Sequence, residues 1–217
     1  RESVLIWDRV SGEPLGPVIT WQCRRTSKEC SVFKASGYED EVIRKTGLPI
    51  DPLFPATKLK WLCDQFGRNK DICAGTIDTW LMWKLSGEKI HKTDRSNASR
   101  TQLFNLESLQ WDDQLCKLFT IDKHILPIVE DSSTQFGITG SIDILPSGIP
   151  ISGAIGDSHA ALFGHGAFDA GDSKITFGTG SSVMSTLSKL IKPPIGLTTT
   201  IAWSLDGRPT YALEGNI

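Results

Sequence analysis

The 217-residue sequence has no block of lysine and arginine and a formal net charge of only -2 at pH 7. A partner held through its nucleic-acid backbone is therefore not expected. No acidic tail stands out, and no apolar run is long enough to span a bilayer. Nothing near the start has the order of a signal peptide, so no membrane partner is expected either. The five cysteines (Cys23, Cys30, Cys63, Cys73 and Cys116) contain no CxxC pair. Such spacing supplies neither a metal cage nor a disulfide framework, and reduced thiols in a cytoplasmic protein are the expectation. Internal repeats and low-complexity segments are missing as well. There is no initiator methionine, and both ends read as strand-like runs, which suggests a piece of a longer chain.

What is present is an ordinary globular composition, 39% hydrophobic and 22% charged, with length for one large domain or two small ones. Val4 to Trp7 and Val18 to Trp21 are short strand-like runs around a turn-rich segment, which suggests a hairpin with a long loop. Thr26 followed by Glu29 has the spacing of a capping box opening a helix that ends near Gly37. Glu39 to Lys45, closed by Gly47, reads as a second helix. Leu59, Leu62, Cys63 and Phe66 recur at helical spacing, and further helices are expected over Thr76 to Ser86 and Trp111 to Phe119. Trp80 and Trp83 read as core, because aromatics at helical spacing pack inward. Asn97-Ala98-Ser99 matches a glycosylation acceptor but is discounted without a secretory context.

Past His124 the pattern changes to short β-like runs: Phe136 to Thr139, Ile149 to Ile155, Lys174 to Phe177, Ser182 to Ser185, Thr198 to Trp203 and Thr210 to Leu213. The last two flank Asp206-Gly207, a hairpin signal. Helices first and strands later point to α/β or α+β architecture, with a sheet carrying Asp157 at its edge.

Asp157 attracts attention because an apolar run, Ile149 to Ile155, ends in Gly156-Asp157 and a small-residue helical segment follows. An acid at such a strand-to-helix turn lies where α/β sheets bind ligands. It could equally cap a helix beginning at Ser158. Thr176-Phe177-Gly178-Thr179-Gly180-Ser181-Ser182 is a Gly-Thr-Gly turn whose backbone could approach phosphate closely. A plain hairpin turn fits it too, and it is not a P-loop, since no Gly-Lys-Ser/Thr follows. Arg1 and Glu2 open a strand-like run in which alternation points them to opposite faces. By themselves they would be a solvated edge, and Trp21 would be core. His159 reads as an ordinary histidine at a helix start.

Together these blocks resemble the FGGY carbohydrate kinases, and most closely the glycerol kinase branch. The resemblance runs through Arg1-Glu2, Trp21-Gln22-Cys23-Arg24-Arg25, Thr46-Gly47-Leu48-Pro49-Ile50-Asp51-Pro52, Lys58-Leu59-Lys60-Trp61-Leu62 and Gly75-Thr76-Ile77-Asp78-Thr79-Trp80-Leu81-Met82-Trp83-Lys84-Leu85. It continues through Thr93-Asp94, Asn97-Ala98-Ser99-Arg100-Thr101, Leu103-Phe104-Asn105, Trp111-Asp112-Asp113, Gly156-Asp157, Ala160-Ala161-Leu162-Phe163-Gly164, Phe177-Gly178-Thr179-Gly180 and Tyr211-Ala212-Leu213-Glu214-Gly215. So many blocks in one order span essentially the whole chain.

The resemblance implies an α/β fold of the actin-like, ribonuclease-H-like type, in which ATP and a sugar meet in a cleft between two lobes. Residues 1–217 would be part of the N-terminal, carbohydrate-binding domain. The family's first phosphate loop would lie upstream and its nucleotide lobe downstream, so the fragment alone is expected to be inactive. Asp157 would be the catalytic base and would lie near the Mg2+ of the nucleotide. Arg1, Glu2 and Trp21 would bind the acceptor, and Gly178, Thr179 and Gly180 would contact the nucleotide phosphates. A small-molecule polyol or sugar is the implied partner, and self-association into a homo-oligomer is compatible with the resemblance.

Three positions depart from the glycerol-phosphorylating pattern. Leu53 stands where that branch has a tyrosine, Ser158 where it has a glutamine and Ser182 where it has a phenylalanine. These changes remove hydroxyl contacts and bulk, so a roomier pocket for a larger polyol or a four- to five-carbon sugar is expected. Glycerol itself, or a non-catalytic sugar-binding or regulatory module, are the alternatives. A structural actin- or chaperone-type relative is more distant.

Overall fold

A computed structural model describes residues 1–67, 71–143, 145–177 and 181–216. In the first half, β1 (Val4–Asp8) pairs antiparallel with β2 (Ile72–Thr76), Val4 opposite Thr76. Helices α1 (Ser27–Ala35) and α2 (Glu39–Thr46) add Cys30 and Val42 to the core of this pair, and α3 (Pro55–Leu62) and α4 (Ile77–Leu85) pack on it. Four of the five residues of β1, Val4 to Trp7, are buried, because both faces are covered. On one side Val4, Ile6, Ala74, Leu59 and Leu62 join the main core. On the other, Trp7 packs against Trp80 and Trp83 at ring separations of 5.2 and 5.8 Å, as expected for core tryptophans.

The expected hairpin is reduced to isolated bridges, Val4 to Ile19 and Trp7 to Pro14, and Trp21 lies in a turn rather than a strand. The expected capping box does not form. Thr26 Oγ1 is instead bonded to Thr57 Oγ1 at 2.8 Å, tying α1 to α3. Helix α2 does end at Gly47, whose φ of 70° is the left-handed conformation open to glycine.

The middle of the chain holds β3 (Lys92–Asp94), α5 (Arg95–Ala98), β4 (Phe104–Asn105), β5 (Gln110–Trp111), α6 (Asp113–Leu118) and β6 (Ile128–Glu130). Helix α5 has a true cap: Asp94 accepts hydrogen bonds from the Ser96 and Asn97 backbone N–H groups, both at 3.0 Å. Asn97 is buried and donates its side-chain N–H to Asp94, so the glycosylation motif is not presented to solvent.

The later strands are β7 (Ser133–Ile138), β8 (Pro150–Gly153), β9 (Ser173–Thr176), β10 (Ser182–Leu187), β11 (Thr198–Leu205) and β12 (Arg208–Asn216), with α7 (Asp157–Gly164) after β8. They form two sheets rather than the one expected: β7 pairs with β8, while β11-β12-β10-β9 makes a separate antiparallel sheet. The predicted Asp206-Gly207 hairpin joins β11 to β12, with φ of 49° and 77° at its two central residues. Asp157 follows β8 and so lies outside the four-stranded sheet, against which α7 packs. All five cysteines are free thiols, and among the described residues no helix is long and apolar enough to cross a membrane.

Candidate active site

The strand-to-helix turn inferred from sequence is present. Gly156 takes the cap position with extended backbone, so Asp157 is the first helical residue rather than the cap. Its Oδ1 accepts from the Ser158 N–H at 2.8 Å, and the side chain is 84% exposed. The N-terminal end of α7 favours the negative charge. Behind the turn, Gly156 N–H donates to Ser96 Oγ at 2.9 Å, so the capped helix α5 fixes the backbone that presents the acid.

Arg1 Nε stands 3.3 Å from Asp157 Oδ1. Its Nη2 donates to Glu214 Oε1 at 2.7 Å, and Nε lies 3.7 Å from Glu2 Oε1. Arg100 completes the lattice, donating from Nε to Glu2 at 2.9 Å and lying 2.8 Å through Nη2 from the second Glu214 oxygen. Arg1 and Glu2 are thus neither a solvated edge nor on opposite faces. Both precede β1, where strand alternation does not yet apply, and both turn into one nearly buried network. Burial opposes ionisation of Glu2 and Glu214, but the Arg100 and Arg1 guanidiniums outweigh it and hold both carboxyls below their usual range. Arg1 Nη1 is buried and has no hydrogen-bond partner among the described residues, leaving the lattice a donor to spare.

The four-stranded sheet supplies the floor. In its register Lys174 pairs with Met184, and Met184 with Glu214, so their side chains share one face. Lys174 is buried and donates to Ser158 Oγ and Thr176 Oγ1, each at 2.7 Å. An ammonium only donates, so both hydroxyls accept from it and keep their own O–H free to donate. Ser182, opposite Thr176, lies on the same face. Burial, and then the Arg1 charge, lower the Lys174 pKa against the pull of Glu214 and Asp157. His159 is fully buried, 3.3 Å from Thr200 Oγ1, and burial beside Arg1 and Arg100 keeps it neutral far below its ordinary pKa.

Trp21 and Leu53 form a second group. Trp21 is 48% exposed and so is not core. Its N–H donates to Ser3 Oγ at 3.2 Å, which ties it to the Arg1-Glu2 segment. Leu53 is half-buried, and Lys58 Nζ reaches both its carbonyl and that of Trp21. Gly178, Thr179 and Gly180 lie outside the described residues. A separate cavity of about 770 Å³, lined by Asp78, Met82, Ile155, Phe163, Trp203 and Leu205 among others, contains none of the predicted site residues. Burial, then Asp94, pushes the Asp78 pKa up to about 6.

Sequence reading missed Glu214, Arg100 and Lys174. Glu214 and Arg100 stood inside the quoted blocks without an assigned role. Lys174 had only the weak signal of a lysine in an otherwise uncharged strand two residues before Thr176.

The solved structure of a Plasmodium falciparum glycerol kinase with ADP superposes on the whole chain with a TM-score of 0.92 at 35% identity. A ligand-bound xylulose kinase from Lactobacillus acidophilus superposes on 99% of it with a TM-score of 0.83 at 23% identity, a likeness of fold alone, and covers 44% of that chain. These matches define an α/β fold of the actin-like class found in sugar kinases. Residues 1–164 match the FGGY family of carbohydrate kinases, N-terminal domain, and the chain belongs to that family. It is also 46% identical over 224 residues to a glycerol kinase of Bacillus cereus (strain AH187). All of this chain is covered in that comparison, yet it spans only 45% of the relative, as it does of the Plasmodium enzyme.

Proposed function

We propose that this chain is the acceptor-binding part of an ATP-dependent kinase that phosphorylates a hydroxyl of a polyol or sugar. The observation that carries the reading is an exposed carboxylate, Asp157, set 3.3 Å from an otherwise buried arginine-glutamate lattice. An alcohol attacks phosphorus poorly until a base shares its proton, and Asp157 is the base assigned here. Arg1 and Glu2 offer a charged donor and a charged acceptor, which suits hydroxyls that both give and take hydrogen bonds. Trp21 gives an apolar wall for a carbon chain. Ser158, with its oxygen taken by Lys174, turns its proton to the acceptor.

Asp157 is the residue that would stand near magnesium. An exposed carboxylate fits that ion, which keeps most of its waters and takes one or two carboxylates plus phosphate oxygens. Bound there, magnesium would neutralise charge on the transferring phosphoryl group. Gly178, Thr179 and Gly180 are assigned to the nucleotide phosphates. Leu53, Ser158 and Ser182 together favour an acceptor larger than glycerol, whereas the 46% identity to a glycerol kinase favours glycerol.

The test is ADP release by the full-length protein with glycerol, erythritol, pentitols, ketopentoses and hexoses, alongside Asp157→Asn. The variant should lose about 10²- to 10⁴-fold in kcat, the usual contribution of a general base. Best turnover of an acceptor with four or more carbons supports the enlarged pocket, and a clear preference for glycerol refutes it. If no acceptor is phosphorylated, the kinase reading fails and a sugar-binding module takes its place.

A further inference from the structure

Lys58, in α3, is completely buried, yet among the described residues no carboxylate lies within ion-pair distance of it. Its ammonium instead donates to three backbone carbonyls, Leu53 at 2.8 Å, Thr20 at 3.0 Å and Trp21 at 3.4 Å. Three donors thus meet three acceptors from two loops more than thirty residues apart in sequence. Burial lowers its pKa to about 8, against weaker support from the charges of Cys23, Glu2 and Asp51. A buried cation without a counter-ion is an expensive way to fill a core. Leucine or methionine would occupy the same space, so the ammonium is retained for what it joins.

What it joins are the backbones of two residues assigned to the acceptor site, Trp21 and Leu53. Trp21 has no strand to hold it, and the residue is 48% exposed. Its backbone is fixed by Ser3 Oγ on the N–H and by Lys58 on the carbonyl. Leu53 is held from its other side, where its N–H donates to Asp51 Oδ1 at 2.8 Å. We propose that Lys58 is a positioning residue that sets the spacing between Trp21 and Leu53 and thereby the length of acceptor the site takes. This rests on the assignment of Trp21 and Leu53 to the acceptor site made above.

Lys58→Met in the full-length protein tests it by two readouts. Hydrogen exchange followed by mass spectrometry should quicken in peptides covering 18–25 and 51–56, by about tenfold for loss of a bond to a charged group. Exchange in β11 and β12 should stay as it was. On the acceptor panel, KM should rise about tenfold for the preferred compound and its advantage over shorter and longer ones should shrink, with KM for ATP unchanged. Unchanged exchange in either loop overturns the inference, as does faster exchange throughout the chain, which would mark a merely structural lysine. Turnover with selectivity intact overturns it alone and leaves the kinase reading standing. No turnover by the unsubstituted protein overturns the kinase reading and this inference with it. If Lys58→Met does not fold, Lys58→Gln, which retains amide donors of shorter reach, should give the same local exchange pattern and a smaller loss of selectivity, and unaltered selectivity there refutes the inference.

Discussion

Replacing Arg100 with methionine separates the charge lattice from the packing around it. The side chain is almost entirely buried, and its guanidinium lies 5.2 Å from the Phe54 ring, a contact that methionine keeps in part. Two carboxylates lose their partner, and they lose unequally. Glu214 retains Arg1 Nη2 at 2.7 Å, whereas Glu2 is left with Arg1 Nε at 3.7 Å. Breaking a buried ion pair by removing one partner costs about 3–5 kcal/mol. At about 1.4 kcal/mol per tenfold, that is two to three and a half decades in the folding equilibrium. With a urea dependence of about 2–3 kcal/mol per molar, the midpoint should fall by about 1–2.5 M. Glu2 should then take up a proton, so adding Glu2→Gln in the Arg100→Met background should restore much of the loss. The assay is urea unfolding of the full-length protein at pH 7, followed by tryptophan fluorescence. Lys123→Met, which breaks a largely exposed pair with Asp113, should leave the midpoint in place. An unmoved midpoint in Arg100→Met, or no recovery on adding Glu2→Gln, refutes the view that this lattice is a coupled, costly element of the site.

Two further outcomes follow from the geometry. A Cβ on Gly156 would lie 2.7 Å from both Arg1 Cδ and His159 Nδ1, so Gly156→Ala should displace the lattice from Asp157 and cost about 1–3 kcal/mol as overpacking. Gly164→Ala, at the end of the same helix with open space around it, should instead gain about 0.4–1 kcal/mol, and equal thermal shifts in the two variants would contradict the crowding argument. Acid should destabilise in two steps. His91 is held neutral by burial to a pKa of about 4, and His159 well below 6.5, so the unfolded chain binds their protons first and stability falls as pH drops below about 6.5. Glu2 and Glu214, held below 4.5, contribute stability that is complete above that value and is lost as pH falls through their folded values. A urea midpoint that stays flat from pH 7 to pH 5 would refute the histidine step.

The sequence by itself determined the elements that depend on neighbouring residues. The stop of α2 at Gly47, the Asp206-Gly207 hairpin and the strand-to-helix turn at Asp157 all follow from local backbone preference. The ordered blocks carried the family, and with it the fold. Tertiary structure decided the rest, since it turns on which distant groups meet. Thr26 gives up its cap to bond Thr57, because the packing of α1 on α3 offers a hydroxyl at 2.8 Å. Arg1 and Glu2 face one network because Arg100 and Glu214, 98 or more residues away in sequence, converge on them. Lys174 joins Ser158 because α7 packs on β9, a meeting of helix and sheet that no short window of sequence encodes. Spacing along the chain places a charge on a turn or a strand, but burial and pairing depend on the long-range packing that surrounds it, and those two quantities set what the charge can do.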